Sequence, residues 1–179
     1  VYIAKSYGLD KVANYWEQVI TINDYQKQRF ADTIVSTLYN TVAGKKIVFY
    51  GWAFKKDTND TRESAAIYVA DALLEEQAEI VVYDPKVSEE QIYADLDRLN
   101  TRSEQENRRL VTVSKDPLES VDNAHAIAVL TEWDEFKALN WEKIYSKMLK
   151  PSFVFDGRRV LDRNTLHKIG FKYYRIGES

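Results

Sequence analysis

The amino-acid sequence predicts an α/β protein: a doubly wound, mostly parallel six-stranded Rossmann-like sheet preceded by one long helix. Two observations predict it. From residue 45 onward, short apolar runs rich in Val, Ile and aromatic residues alternate with helical patterns, as βαβ units require. Before residue 45 the texture differs: no Pro or Gly interrupts residues 10–42, and apolar residues recur there every three or four positions.

The elements follow in order. Val1-Tyr2-Ile3-Ala4 opens without a capping or polar residue, as though entering an element already under way, so a piece of a longer protein is expected. Val12, Trp16, Val19, Phe30, Ile34 and Leu38 form the stripe of the long helix, widened by Ile20, Ile22, Tyr25 and Val35. A slight bend is expected at residues 21–24, and Gly44 serves as the C-terminal glycine. At ~1.5 Å per residue, about thirty residues span roughly 45 Å, more than one small domain covers. The apolar face should therefore join two domains or meet its own copy. Strands are expected at residues 46–50, 79–83, 110–113, 126–130, 153–155 and 171–176. Helices are expected at 61–77, 88–99, 141–148 and 164–169, with a helical turn from Pro117. The charged stretch 97–109 reads as a solvated loop.

Composition narrows the function. With 28 acidic against 25 basic residues, the net charge of −3 argues against nucleic-acid or membrane-surface binding by the chain as a whole. No apolar run approaches the roughly eighteen residues of a membrane span, and no signal-peptide pattern opens the chain. There is no cysteine, hence no disulfide, thiolate metal ligand or thiol nucleophile, and a reducing, cytoplasmic setting is expected. His125 and His167 lack ligand-like spacing, so no metal site is expected.

In such a sheet, ligands bind beyond the carboxyl ends of the strands where strand order reverses. For the order 3-2-1-4-5-6 that places residues 51–58, 131–133 and 156–159 together. Lys55, Lys56, Arg62, Arg158 and Arg159 then share one edge of an acidic protein, which suits an anionic ligand such as phosphate. Asp60 and Glu63 have capping-box spacing, which would start a helix at Thr61 and aim its free amides beside Arg62. Neither a G-x-G-x-x-G loop nor a Walker loop is present, so an ordinary dinucleotide site in this domain is not expected. Asp84, at the end of the second strand, is either a ribose-binding acid or, more in keeping with the missing glycines, a structural partner of Pro85. His125 reads as a packed or exposed side chain rather than a general base. Trp133, Phe136 and Trp141 could stack on a base, although packing is the better reading.

The segment 51–64, Gly-Trp-Ala-Phe-Lys-Lys-Asp-Thr-Asn-Asp-Thr-Arg-Glu-Ser, closely resembles the signature G-x-A-F-K-x-x-T-x-D-x-R-x-S of the UDP-glucose and GDP-mannose dehydrogenase family. The resemblance continues through residues 83–87, 114–117, 131–133 and 155–162, covers essentially the whole chain, and is nearest to the animal-type enzymes that act on UDP-glucose. It implies a parent with an N-terminal NAD-binding domain, a central helical region and a C-terminal UDP-binding domain. Residues 1–44 would end the central helical dimerisation region, and residues 45–179 would be the UDP-sugar-binding domain. At the matching positions, Phe54 and Lys55 would contact the nucleotide sugar and Arg158 would bind the substrate. Arg62 would reach across the interdomain cleft to NAD. Trp52 departs from the smaller aromatic expected there. Such enzymes oxidise the sugar's primary alcohol twice with two NAD through a cysteine whose motif is not in this chain, so the chain alone is expected to be inactive. Alternatives are another UDP-sugar or GDP-mannose dehydrogenase of the family, or a non-catalytic binding or dimerisation module.

Overall fold

The computed structural model describes residues 1–177. After a short helix α1 (Tyr2–Ser6) comes the long helix α2 (Asp10–Thr37), then β1 (Lys46–Tyr50), α3 (Ala65–Glu75), β2 (Glu79–Tyr83), α4 (Glu89–Leu99), α5 (Glu104–Leu110) and β3 (Val111–Val113). The second half holds α6 (Pro117–Ser120), β4 (Ala126–Val129), α7 (Glu135–Ala138), α8 (Trp141–Lys147), β5 (Phe153–Asp156), α9 (Arg163–Ile169) and β6 (Lys172–Arg175). The sheet order is β3-β2-β1-β4-β5-β6, and every pairing is parallel. Chain order reverses between β1 and β4, as the doubly wound reading requires. All four residues of β4 and all four of β5 are buried because helices cover both faces. That is why these strands read as continuous apolar runs rather than alternating ones.

Three stretches differ most from the sequence expectation. Helix α2 runs unbroken through residues 21–24 but ends at Thr37, before the expected stop at 42–44. Tyr39 and Asn40 adopt left-handed backbone angles, and Lys45 Nζ donates to the carbonyls of Leu38 and Thr41 at 2.7 Å each, closing the helix end. Gly44 instead lies in the turn into β1, its amide on the Gln77 carbonyl at 2.9 Å. Helix α3 starts at Ala65, not Thr61: Ser64 is the cap and accepts from the Ala66 amide at 3.3 Å. Glu63 has a φ of 59° and cannot be the third residue of a helix. The stretch 97–109 is not all loop. Ser103 and Glu106 form the capping box of α5, which buries only Asn107 and Leu110 and is polar or charged elsewhere.

Two halves of α2 have different surroundings. Ala31 and Ile34, with Leu38 just beyond the helix, are buried against the sheet domain, and Phe30 and Val35 pack beside them. The N-terminal half leaves Val12, Trp16, Val19, Ile20 and Ile22 exposed. Among the described residues no helix is long and apolar enough to cross a membrane.

Gly51 joins β1 to the first loop. Its amide donates to the Tyr83 carbonyl at 2.8 Å, and its φ is +98°. A Cβ there would lie 2.4 Å from Thr131 Cβ and 2.7 Å from the Thr131 backbone nitrogen. Gly51→Ala should therefore destabilise the fold by about 2–5 kcal/mol, combining backbone strain with overpacking. Urea unfolding followed by circular dichroism measures this, and a change below ~1 kcal/mol would contradict the close approach.

Candidate functional site

Three loops meet at the carboxyl edge of the sheet: residues 51–64 after β1, 130–134 after β4 and 157–162 after β5. A buried carboxylate organises the first two. Asp84 Oδ2 accepts from the backbone amides of Trp52 at 2.7 Å and Ala53 at 3.0 Å and from Trp133 Nε1 at 3.1 Å. Its Oδ1 accepts from the amides of Lys86 at 2.9 Å and Val87 at 3.0 Å. Thr131 Oγ1 adds a bond to the Ala53 carbonyl at 2.6 Å. Asp84 is thus structural. A ribose-binding role is excluded by geometry, because both oxygens are taken up internally. Trp52 lies fully buried behind it, its Nε1 donating to Asp95 Oδ2 at 3.0 Å.

The third loop is shaped by Asp156, also fully buried, which accepts from the amides of Arg158 and Leu161 at 2.9 Å each and from the Tyr173 hydroxyl at 2.8 Å. Arg158 Nε then donates to the Leu130 carbonyl at 2.8 Å and its Nη2 to the Phe54 carbonyl at 3.1 Å. One guanidinium therefore ties all three loops together. Glu132 Oε2 lies 3.6 Å from Nε, while Oε1 accepts from the Lys56 amide at 3.3 Å. Nη1 of Arg158 has no partner among the described residues.

Arg158 borders a groove of about 560 Å³ between the loops and α2. Phe54, 46% exposed, lines it, as do Glu63, Asn23, Gln26 and Lys27. The volume falls in the usual range for small-ligand sites, roughly 300–1,000 Å³. A second cavity of about 220 Å³, beside Arg29, Phe155 and Tyr174, touches none of the three loops.

Of the five cations expected along this edge, the structure brings only Arg158 into the groove. Lys56 is paired with Asp134 at 2.7 Å. Arg62 is not beside a helix start; its Nε and Nη2 fold back on Asp60 at 2.9 and 2.7 Å. Lys55 is exposed and makes no hydrogen bond or ion pair among the described residues, and Arg159 is an exposed residue in left-handed backbone. His125 lies at the opposite edge, where Nδ1 accepts from the Lys46 amide at 3.1 Å and burial lowers its pKa. Trp133, Phe136 and Trp141 are core residues: Phe136 stacks on Tyr50 at 5.1 Å, and Trp141 Nε1 donates to the Phe136 carbonyl at 3.0 Å. No group of three or more metal-binding side chains occurs among the described residues. Asn23, Gln26 and Lys27 were missed by sequence reading. Their signal was present as polar positions interrupting the apolar stripe of the long helix.

A family model described as "UDP-glucose/GDP-mannose dehydrogenase family, UDP binding domain" matches residues 48–163, more than half of the chain. The chain belongs to the UDP-glucose/GDP-mannose dehydrogenase family. Relatives named UDP-glucose 6-dehydrogenase are 53% identical in Bos taurus over 99% of this chain and 50% identical in Caenorhabditis elegans over 100% of it. The chain spans about a third of those proteins, 36% and 37% of their lengths. Among solved structures, a UDP-glucose dehydrogenase from the archaeon Pyrobaculum islandicum superposes with a TM-score of 0.70 at 25% identity, over 97% of this chain and 34% of that one. The UDP-N-acetyl-mannosamine dehydrogenase Cap5O from S. aureus, at 23% identity, shares the fold with a TM-score of 0.68 over 93% of this chain and 34% of its own.

The Asp60–Arg62 pair has a measurable signature. The guanidinium hydrogen bonds hold the Asp60 carboxyl down at about 2. A depressed carboxyl favours the paired state above the ordinary carboxylate range, and that preference is lost as pH falls through about 2. Carbon-detected NMR titration of Asp60 should give a midpoint near 2, rising towards roughly 3.9 in Arg62→Ala. An unchanged midpoint in the variant would mean the pair does not persist in solution.

Proposed function

We propose that this chain is the nucleotide-sugar-binding part of a UDP-glucose 6-dehydrogenase, a longer protein that oxidises UDP-glucose to UDP-glucuronate with two NAD. The observation that carries this reading is Arg158. Its Nε and Nη2 are fixed on two loop carbonyls, and Nη1 remains for a ligand beside the half-exposed ring of Phe54. A guanidinium held in this way presents a charge-assisted donor without losing further side-chain freedom, and the ring offers a face for a base or sugar. Phe54, Lys55 and Arg158 are assigned to the substrate. Residues 45–179 are the UDP-sugar-binding domain, and residues 1–44 end the central helical region.

The crevice of this domain does not fit a dinucleotide. The Trp52 and Ala53 amides, which a glycine loop would offer to a pyrophosphate, are bonded to Asp84 instead. NAD is therefore assigned to the part of the longer protein outside this chain, with exposed Arg62 reaching it after release from Asp60. The oxidation chemistry also belongs there; this chain binds and orients.

Calorimetric titration with UDP and UDP-glucose tests the assignment. Arg158→Ala should weaken binding by roughly 1.5–3 kcal/mol, the range for a charge-assisted hydrogen bond, and Arg62→Ala by less. Equal losses, or GDP-mannose binding as tightly as UDP-glucose, would favour another member of the family.

The exposed half of α2 supports self-association: Trp16 is 53% and Val19 38% exposed. A two-fold contact between copies of the helix would cover it. Replacing Trp16 and Val19 with Asp should convert an associated chain into a folded monomer, read by sedimentation. A wild-type chain that stays monomeric at high concentration would remove this role from the helix.

A further inference from the structure

We propose that Lys27, on the long helix, supplies the second cationic contact for the diphosphate of the nucleotide, opposite Arg158. This rests on the reading of the groove as the nucleotide-sugar site. A nucleoside diphosphate carries several negative charges, and a single fixed guanidinium neutralises only part of them. Lys27 and Arg158 are the two cations among the groove's lining residues. The Lys27 ammonium is placed rather than free. It sits 3.8 Å from the centre of the Tyr68 ring, and its side chain is only 16% exposed. A cation on an aromatic face and partly removed from water keeps more of its field than a solvated lysine.

The anions that hold Lys27 are easily displaced. Asp24 Oδ1 is 3.0 Å from Nζ and Glu63 Oε2 is 4.0 Å away, with side chains 62% and 76% exposed. Carboxylates this exposed regain water when the pair opens, so little holds them to Lys27. Glu63 has a better bond elsewhere, from the Tyr68 hydroxyl at 3.0 Å. Both carboxylates line the groove, so its four charged lining residues, Lys27, Arg158, Asp24 and Glu63, sum to zero. A diphosphate entering the groove takes over Lys27 from its two carboxylates, while the Tyr68 ring keeps the ammonium in place. Glu63 is then a competitor of the ligand, not a structural cap.

Calorimetry on this chain with UDP, UMP and uridine as probes tests the proposal, because only the phosphates should sense Lys27. Lys27→Met should weaken UDP about tenfold, UMP less, and uridine by less than about twofold, whereas Lys27→Arg should keep most of the UDP affinity. Glu63→Gln should tighten UDP about two- to threefold, a gain that a purely structural role for the cluster would not produce. Thermal midpoints show whether each variant folds; if Lys27→Met does not, Lys27→Arg and Glu63→Gln carry the test. UDP binding unchanged in Lys27→Met, a parallel loss of uridine and UDP, or weaker binding by Glu63→Gln would overturn the proposal. A wild-type chain that binds uridine but no UDP also overturns it. One that binds none of the three overturns the nucleotide reading of the groove itself.

Discussion

The Asp84 carboxylate decides where the first loop of the sheet can go. It accepts five hydrogen bonds, from Trp52, Ala53, Lys86 and Val87 amides and the Trp133 indole. An ionised group so deeply buried is tolerable only when its lone pairs are satisfied. The donors come from three separate loops, so satisfying the charge fixes those loops relative to one another. Once Trp52 and Ala53 are held, Phe54 must turn outward and the Phe54 carbonyl comes within reach of Arg158. The loop that would hold a dinucleotide in a related fold is thereby converted into a wall of the neighbouring groove.

Electrostatics at this edge is governed more by pairing than by the number of cations. Lys56 is matched by Asp134, whose carboxyl is held near 2 first by Lys137 and then by Lys56. Arg62 is matched by Asp60. These are exposed pairs of small net value, but they remove two cations from the field an approaching anion would sense. Arg158 differs because its hydrogen bonds are to backbone carbonyls, which restrict its position without cancelling its charge; among the described residues its one ion pair is with Glu132, at 3.6 Å. Position and charge are thus supplied by different groups.

Much of the fold was legible in the sequence. The buried parallel strands appear as apolar runs such as Lys46-Ile47-Val48-Phe49-Tyr50, and the strand order is the one common to doubly wound sheets. The misread boundaries share a cause. Asp60 and Glu63 have the spacing of a cap, yet Asp60 bonds the Arg62 amide and side chain in a local turn, and Ser64 takes over as cap. Asn40 could have signalled the end of α2, but Gly44 was the stronger local mark. Arg158 was legible as one of five cations at the switch-point edge, but its pairing with Phe54 in one site came only through motif resemblance. Their meeting depends on a contact 104 positions apart in sequence, which no local pattern encodes. The α2 side of the groove was hidden for another reason: a helix read for its apolar stripe does not announce what its polar flank faces.

That helix joins the two properties of the chain. A lone helix is marginal in water, so α2 owes its stability to packing, and its C-terminal half supplies that through Ile34, Ala31 and Phe30 against the sheet domain. Phe30 also touches the site directly. A Cβ on Gly157 would lie 3.4 Å from Phe30 Cζ and 3.1 Å from the Val129 carbonyl, so the turn that carries Arg158 is pressed between the helix and the sheet. The N-terminal half of the same unbroken helix leaves Val12, Trp16, Val19, Ile20 and Ile22 exposed. One unbroken helix thus carries an exposed apolar stretch with Trp16 and Val19 in its N-terminal half and, further along, the groove-lining Lys27 and Phe30.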